Sequence, residues 1–465
     1  MKWIQKLSLT VVTAVIINLD VSVLAQSLPV AKKPEQVGFC SDKLEAITDD
    51  LQNRVDKQEI AGGVVIIARK GKIAYRQAVG LRDIEASDSM KPDTIFRIAS
   101  KSKTITGFAI YLLASEGLID LKDPVSKYIP AFDNMKVVVP GSSGQPNDYK
   151  TIGATNKITI EQLLNHTSGI DYNLKNHPIL GPLLGPLLKQ AEIYNGISTS
   201  QGTIGDMVGR LAKLPLLFEP GTQFNYGLNS DILGYLVEVV SRQTLAEFLQ
   251  ERVFQPLEMK DTSFYVPPAK RNRLAAVYIP NFENGGLIRM GTTPKEIRPG
   301  VIMDEAYPYK SGDTYFSGGA GLVSTPDDYV RFLQMLLNKG KLKSRDGRKI
   351  VRIAKAKTVK KFLSVRDNDK EANEVFQELF NIAGYKFTNG FVVKDDPNAS
   401  NKPSSVGSFQ WAGVYNTHYF ADPKRKLIGV VMTQLFPYVQ TDLRHKYESL
   451  TYQALAPNCK ALVSE

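Results

Sequence analysis

A serine and a lysine three residues apart stand in Phe96-Arg97-Ile98-Ala99-Ser100-Lys101-Ser102-Lys103, and an apolar run from Phe108 to Leu113 follows them. If a helix begins here, one turn brings the Ser100 and Lys103 side chains onto one face. A serine hydroxyl attacks a carbonyl poorly until a base takes its proton, and a lysine can be that base only where burial or neighbouring cations favour its neutral amine. A helix start also aims the Ser100 amide at a developing oxyanion. Ser-x-x-Lys is common by chance, however, and equally describes an N-capping serine beside a solvated lysine. The pair becomes a nucleophile only if other elements build a cleft around it.

Both ends of the chain supply such elements. Ser41 stands in an N-cap position ahead of Leu44, Ile47 and Leu51, a helical spacing with one apolar face. The run from Gly62 to Ala68, the turn at Lys70-Gly71-Lys72 and a second run to Ala78 read as a hairpin. Near the other end, Phe409 to Phe420 and Leu427 to Met432 read as two strands around Asp422-Pro423, and Leu443 to Leu455 as a closing helix. The middle is richer in helix and loop. There Val137 to Asn156 reads as a surface excursion, and the doubled Gly-Pro-Leu-Leu over 181–188 as a packed turn or part of an apolar wall over the substrate. The pattern predicts an α+β fold: one antiparallel sheet built from both termini and flanked by helices, with a mostly helical lobe inserted. The sheet lobe covers about 36–100 and 315–465 and the helical lobe about 101–314, as one catalytic domain over 26–465 with the cleft between its lobes.

Composition bears on compartment and cofactors. Of 465 residues, 43% are hydrophobic and 23% charged, an ordinary globular balance that permits a large core. Lys2 and Lys6 precede an apolar run from Leu7 to Leu19, and Val23-Leu24-Ala25 before Gln26 forms a small-residue cleavage site. Residues 1–25 thus read as a signal peptide and the product as exported, periplasmic or secreted. Asn18 and Asp20 interrupt the run, which argues against a membrane anchor, and no later stretch is apolar enough to span a bilayer. The net charge of +11 is uneven: Ser344 to Lys361 is basic and Asp42 to Asp50 acidic. Without interleaved aromatics it describes a solvated surface and no nucleic-acid groove. Cys40 and Cys459 are the only cysteines, and the four histidines lack H-E-x-x-H spacing, so no metal and no other cofactor is expected. In an oxidising compartment, with the terminal helices packed together, the two cysteines are expected to pair. Oligomeric state is not legible.

Four segments, in order across residues 36 to 455, resemble those of the serine β-lactamases, penicillin-binding peptidases and related carboxylesterases. Thr94 to Thr106 resembles the nucleophile region, and Leu163-Leu164-Asn165-His166-Thr167-Ser168-Gly169 the loop after the next helix. Glu219-Pro220-Gly221-Thr222-Gln223-Phe224-Asn225-Tyr226 resembles the segment carrying the second catalytic element, and Ser317 to Pro326 the helix start beyond it. The resemblance implies a β-lactamase/transpeptidase-like fold and an acyl-enzyme on Ser100. It also implies that Tyr226, close to Lys103, acts as a phenolate base and later returns the proton to the leaving group. The family's Tyr-x-Asn is broken here, because Leu228 occupies the asparagine place and Asn229 falls one residue late as a candidate substrate ligand. The third element, normally Lys-Thr-Gly or His-x-Gly on a cleft strand, is matched by Trp411-Ala412-Gly413-Val414. By that match the Val414 amide joins the Ser100 amide in an oxyanion hole, Gly413 lets substrate approach the strand, and Trp411 lines the site or is plain core. His166 and His418 match no catalytic element and read as structural.

These departures favour a small ester with an apolar acyl chain. A β-lactam or a D-Ala-D-Ala peptide would find no third-element cation for its carboxylate and no second-element asparagine for its amide. Arg97, Lys101 or a residue from Arg345 to Ser405 could restore such binding from another direction. β-Lactams and peptidoglycan-like peptides therefore stand as alternative substrates, and a sensor that acylates once and stalls stands as an alternative to turnover. The Gly-x-Ser-x-Gly elbow expected of Ser-His-Asp hydrolases is absent.

Overall fold

The run from Val64 to Ala68 is apolar at every position because both faces of the strand it forms are covered. Val64, Ile66 and Ala68 pack into one core, Val65 and Ile67 into a second on the opposite face. The computed structural model describes residues 28–143, 149–172, 181–298, 301–311, 313–365, 382–398, 403–437 and 442–455. The expected signal segment and Cys459 lie outside these.

One antiparallel sheet of eight strands organises the chain. The N-terminal part contributes β1 (Gly62–Arg69), β2 (Lys72–Asp83) and the short β3 (Asp88–Ser89). The C-terminal part contributes β4 (Tyr385–Thr388), β5 (Phe391–Lys394), β6 (Phe409–Gly413), β7 (Thr417–Asp422) and β8 (Leu427–Met432). Their spatial order is β4-β5-β6-β7-β8-β1-β2-β3, so the two ends of the chain meet where Val64 lies opposite Met432 and Ile66 opposite Val430. Helix α1 (Ser41–Asp56) and a helix at Leu443–Gln453 cover one face through Leu44, Ile47, Leu51 and Tyr447. Helices α2 (Ser102–Ser115) and Pro326–Leu337 cover the other through Ile105, Phe108, Phe332 and Leu333. The core on this face, which holds Val64 and Ile66, runs on without a break into the helical region, where it holds Met207, Ile232 and Leu236. The mixed helix-and-sheet architecture is the one expected.

Local readings change in several places. Ser41 is the first helical residue and Cys40 the N-cap; the Ser41 hydroxyl donates instead to Glu35 Oε1 at 2.6 Å. The stretch from Phe409 to Phe420 forms two strands, because Asn416 adopts a φ of +61° and turns the chain at Val414 to Asn416. The doubled Gly-Pro-Leu-Leu lies in one helix, Gly181–Gln190, with Pro186 inside it. Within 137–156, Lys136–Pro140 pairs with Tyr149–Gly153 as a hairpin. The β4–β5 hairpin comes from a region in which the sequence analysis placed no element.

Candidate active site

The nucleophile segment enters its helix by a constrained step. Ala99 has a φ of +42°, a left-handed conformation that a non-glycine residue keeps only where its surroundings impose it. A single 3-10 turn over Ala99–Lys101 follows, and α2 then begins at Ser102. Ser100 thus sits in the turn ahead of the helix, half-open to solvent, while Lys103 lies in the first turn of α2 and is fully buried.

Helix α2 is buried from Ser102 to Leu113, so the Lys103 amine has little water to solvate a charge. Burial lowers its pKa to about 7, against the pull of the Asp231 carboxylate, which favours the ammonium. The Nζ lies 2.8 Å from the Gly319 carbonyl, 3.1 Å from the Tyr172 hydroxyl and 3.3 Å from Ser100 Oγ. A neutral amine has two N–H donors and one lone pair. The Gly319 carbonyl can only accept, and with Tyr172 taking the second N–H the lone pair is left to the Ser100 hydroxyl proton. Asp231 is itself buried and accepts from the Ser317 hydroxyl at 2.5 Å and the Gly319 amide at 3.4 Å. A methyl group at Gly319 would lie 2.5 Å from Asp231 Oδ2 and 2.8 Å from the Tyr172 oxygen, so this corner closes only around a glycine.

Tyr226 is brought to the same place. Burial pushes its phenol pKa well up, and the Ser100 hydroxyl and Trp411 indole beside it offset part of that rise. Lys103 Nζ stands over the ring, 4.8 Å from its centre. The expected phenolate runs against this ordering: burial favours the neutral amine at Lys103 and the protonated phenol at Tyr226. His166 stacks on the Tyr226 ring, with centroids 4.7 Å apart and planes 11° apart.

Helix α3 (Ile160–Asn165), started by a Thr159/Gln162 capping box, ends on His166 in the left-handed conformation and so delivers that ring. Its Nδ1 accepts from the Gly227 amide at 2.9 Å and lies 3.0 Å from Asn229 Nδ2, so the ring is neutral with its proton on Nε2. Asn229, expected as a substrate ligand, is fully buried and bonded to His166 and the Ser168 hydroxyl. It braces this loop and does not face the cleft. His418 is buried with Nε2 2.8 Å from Asn416 Oδ1.

Trp411 is core and wall at once: 6% exposed, with its ring centroid 5.8 Å from that of Tyr226 and 5.2 Å from that of Phe387. Gly413 allows a close approach, but the visitor is the chain itself. A methyl there would lie 2.3 Å from the Ile98 carbonyl oxygen and 2.4 Å from Thr417 Oγ1. That contact clamps the end of β6 onto the nucleophile segment and sets Val414 in one apolar cluster with Ala99. Arg97 and Lys101, flanking Ser100, are both buried. Arg97 donates to the Ala275 and Glu305 carbonyls, and Lys101 Nζ lies 4.1 Å from the centre of the Tyr329 ring. The sequence reading missed Tyr172, Asp231 and Gly319. The run Asn229-Ser230-Asp231 at the head of an apolar helix, Asn229–Ser241, was the available signal, since polar side chains there are buried only if partnered.

A serine in a tight turn, a desolvated lysine and a phenol, held beneath an antiparallel sheet backed by helices, define a serine hydrolase of the penicillin-recognising class. The β-lactamase family model matches residues 47–452, and the chain belongs to that family. Esterase EstB of Burkholderia gladioli is 30% identical over 395 residues, covering 84% of this chain and 89% of the relative. A putative D-alanyl-D-alanine carboxypeptidase of Salmonella typhimurium is 28% identical over 350 residues, covering 71% and 73%. Among solved structures, EstCE1, described as a hydrolase with promiscuous acyltransferase activity, superposes with a TM-score of 0.71 at 27% identity over 88% of this chain and 97% of its own. Among the described residues no helix is long and apolar enough to cross a membrane, and no cluster of His, Cys, Asp and Glu could hold a metal ion.

Proposed function

We propose that the protein is an exported carboxylesterase-type hydrolase working through an acyl-enzyme on Ser100. The observation that carries the mechanism is the placement of Lys103 Nζ within hydrogen-bond distance of the Gly319 carbonyl, the Tyr172 hydroxyl and Ser100 Oγ; a neutral amine that donates to the first two has its lone pair free for the Ser100 proton. Lys103 takes the hydroxyl proton as Ser100 Oγ forms its bond to the ester carbonyl carbon. The oxyanion that develops is met by the Ser100 and Val414 amides. The leaving alcohol oxygen needs a proton when the C–O bond breaks. Tyr226, protonated and beside Ser100, is the group placed to deliver it. Water then attacks the acyl carbon and gives a proton to the Tyr226 phenolate, and the Ser100 Oγ–acyl bond breaks as the Lys103 ammonium returns its proton to Ser100.

Three features support an ester over a β-lactam or D-Ala-D-Ala peptide. Trp411 offers no cation for a carboxylate, Asn229 is turned into the protein, and Arg97 and Lys101 are buried on other partners. An apolar cluster of Ala99, Ile197, Ala320 and Val414 borders the nucleophile and suits an apolar acyl chain. The relatives named for esterase and hydrolase activity agree with this reading. Export rests on residues 1–25 and on the disulfide at Cys40. The test is kcat/KM on one preparation for p-nitrophenyl butyrate, a chromogenic cephalosporin and a D-Ala-D-Ala tripeptide. The ester should lead by at least about a hundredfold, the scale of unpaired polar groups in a site. Comparable or faster β-lactam hydrolysis would show a carboxylate site built elsewhere.

A further inference from the structure

We propose that the segment 339–361 is a docking surface for an anionic lipid bilayer, separate from the chemistry at Ser100. Eleven of the chain's 58 basic side chains and one of its 47 acidic ones lie in this segment, which leaves 47 against 46 for all the rest. The protein is thus a nearly neutral body carrying its net charge in one place. The structure turns that charge outward. In the hairpin of Lys341–Lys343 with Ile350–Arg352, Leu342 is buried, while Lys341, Lys343, Ile350 and Arg352 are exposed. Lys341 lies directly opposite Arg352, a like-charge cross-strand pair that weakens a sheet and so is poorly explained by stability. The helix that follows, Ala356–Leu363, buries Thr358, Val359 and Phe362 against the core and exposes Lys357, Lys360 and Lys361.

Acidic neighbours do not neutralise these groups. Among the described residues, Arg345 pairs inward with Asp328 at 2.9 Å and Arg348 approaches Asp346 at 3.9 Å; the six exposed cations named above have no carboxylate within ion-pair distance. Clustered lysines and arginines on one exposed segment are attracted to the negative potential of a bilayer containing anionic headgroups, and the attraction weakens with salt. The occupant is assigned as lipid from what accompanies the charge. Ile350, 64% exposed, stands among the cations where it can enter the headgroup boundary, and the segment exposes no large aromatic side chain on which a nucleobase could stack.

The experiment is sedimentation of the purified protein with vesicles of phosphatidylcholine alone or with about a third phosphatidylglycerol, at low and high salt. The expected result is binding to the anionic vesicles at least tenfold tighter than to the neutral ones, largely lost at high salt. Two triple variants, K341E/K343E/R352E and K357E/K360E/K361E, should each weaken it at least tenfold while keeping the wild-type melting temperature and ester turnover in solution. Equal binding to both vesicle types, or unchanged binding by both variants, overturns the proposal. Duplex DNA or polyphosphate bound as tightly as anionic vesicles at equal phosphate would overturn the lipid assignment and point to a general polyanion surface.

Discussion

Burial on every side of α2 favours the neutral amine that the proposed role of Lys103 as base requires, and Asp231 limits how far that goes. With the amine near pH 7, the neutral form rises from a minority to a majority between about pH 6 and 8. kcat/KM for a neutral ester should therefore rise with pH through about 7 and level off above it. Asp231 favours the ammonium, so Asp231→Asn lowers the Lys103 pKa and should move this acid limb to lower pH. A limb that stays in place, or moves up, would remove Lys103 from the role of base. Tyr226→Phe keeps the ring on His166 and deletes the proton source. It should lower kcat by about a hundredfold or more with little change in KM. His166→Ala removes the stacked ring and the acceptor for Gly227; as a positioning change it should lower kcat less than Tyr226→Phe and broaden the pH profile. Ser100 and Lys103 were legible because their spacing is local. Tyr172 and Asp231 were not, since nothing in one dimension says that residues 69 and 128 positions past the lysine converge on it. The resemblance implies a phenolate at Tyr226; burial, which a sequence does not display, favours the protonated phenol there and the neutral amine at Lys103.

At the scale of elements, two close backbone approaches hold the site. The β4–β5 turn, Asn389-Gly390, docks on α2: a methyl at Gly390 would lie 2.7 Å from the Lys103 carbonyl, and one at Gly107 would lie 2.4 Å from that of Asn389. Gly390 also has a φ of +90°. Gly390→Ala should therefore destabilise the protein by about 1–3 kcal/mol and depress turnover by displacing Lys103. Denaturant unfolding together with the rate of acylation checks it; loss of stability with wild-type acylation would show that the turn does not position the lysine. Asn-Gly between apolar runs is among the stronger hairpin signals in a sequence. That signal stands at 389–390, between the apolar runs of β4 and β5, in a stretch that resembles no segment of the family. β1, β2 and β8 were legible because dense β-branched runs covered on both faces leave few alternatives. The break at Val414 to Asn416 was not, because it rests on Asn416 entering the left-handed region, which composition alone does not announce.

At the scale of the whole molecule, the two ends of the chain fasten one sheet. Besides the β1–β8 ladder, the Cys40 amide donates to the Ala454 carbonyl at 2.8 Å, Phe39 bridges Leu455, and Arg54 pairs with Asp442. Cys40 is disulfide-bonded, and Cys459 is the only other cysteine in the chain. The pairing expected from the sequence, Cys40 with Cys459, would act mainly by restricting the unfolded chain. Cys40→Ser should therefore lower unfolding free energy by about 2–5 kcal/mol and leave kcat at 25 °C unchanged, since the site draws on neither terminus. Two free thiols in denatured, unreduced protein would refute the pairing. The inserted helical region was read correctly in outline because a sheet built from both termini requires one. The proposed chemistry of the whole molecule turns on the covalent step at Ser100. The most direct test is intact-mass analysis after brief exposure to a p-nitrophenyl ester or a fluorophosphonate, with the adduct mapped by peptide. One acyl or phosphonyl group on the peptide carrying Ser100, absent from Ser100→Ala and slowed in Lys103→Ala, is the predicted result. Modification elsewhere, or ester turnover retained by Ser100→Ala, would contradict it.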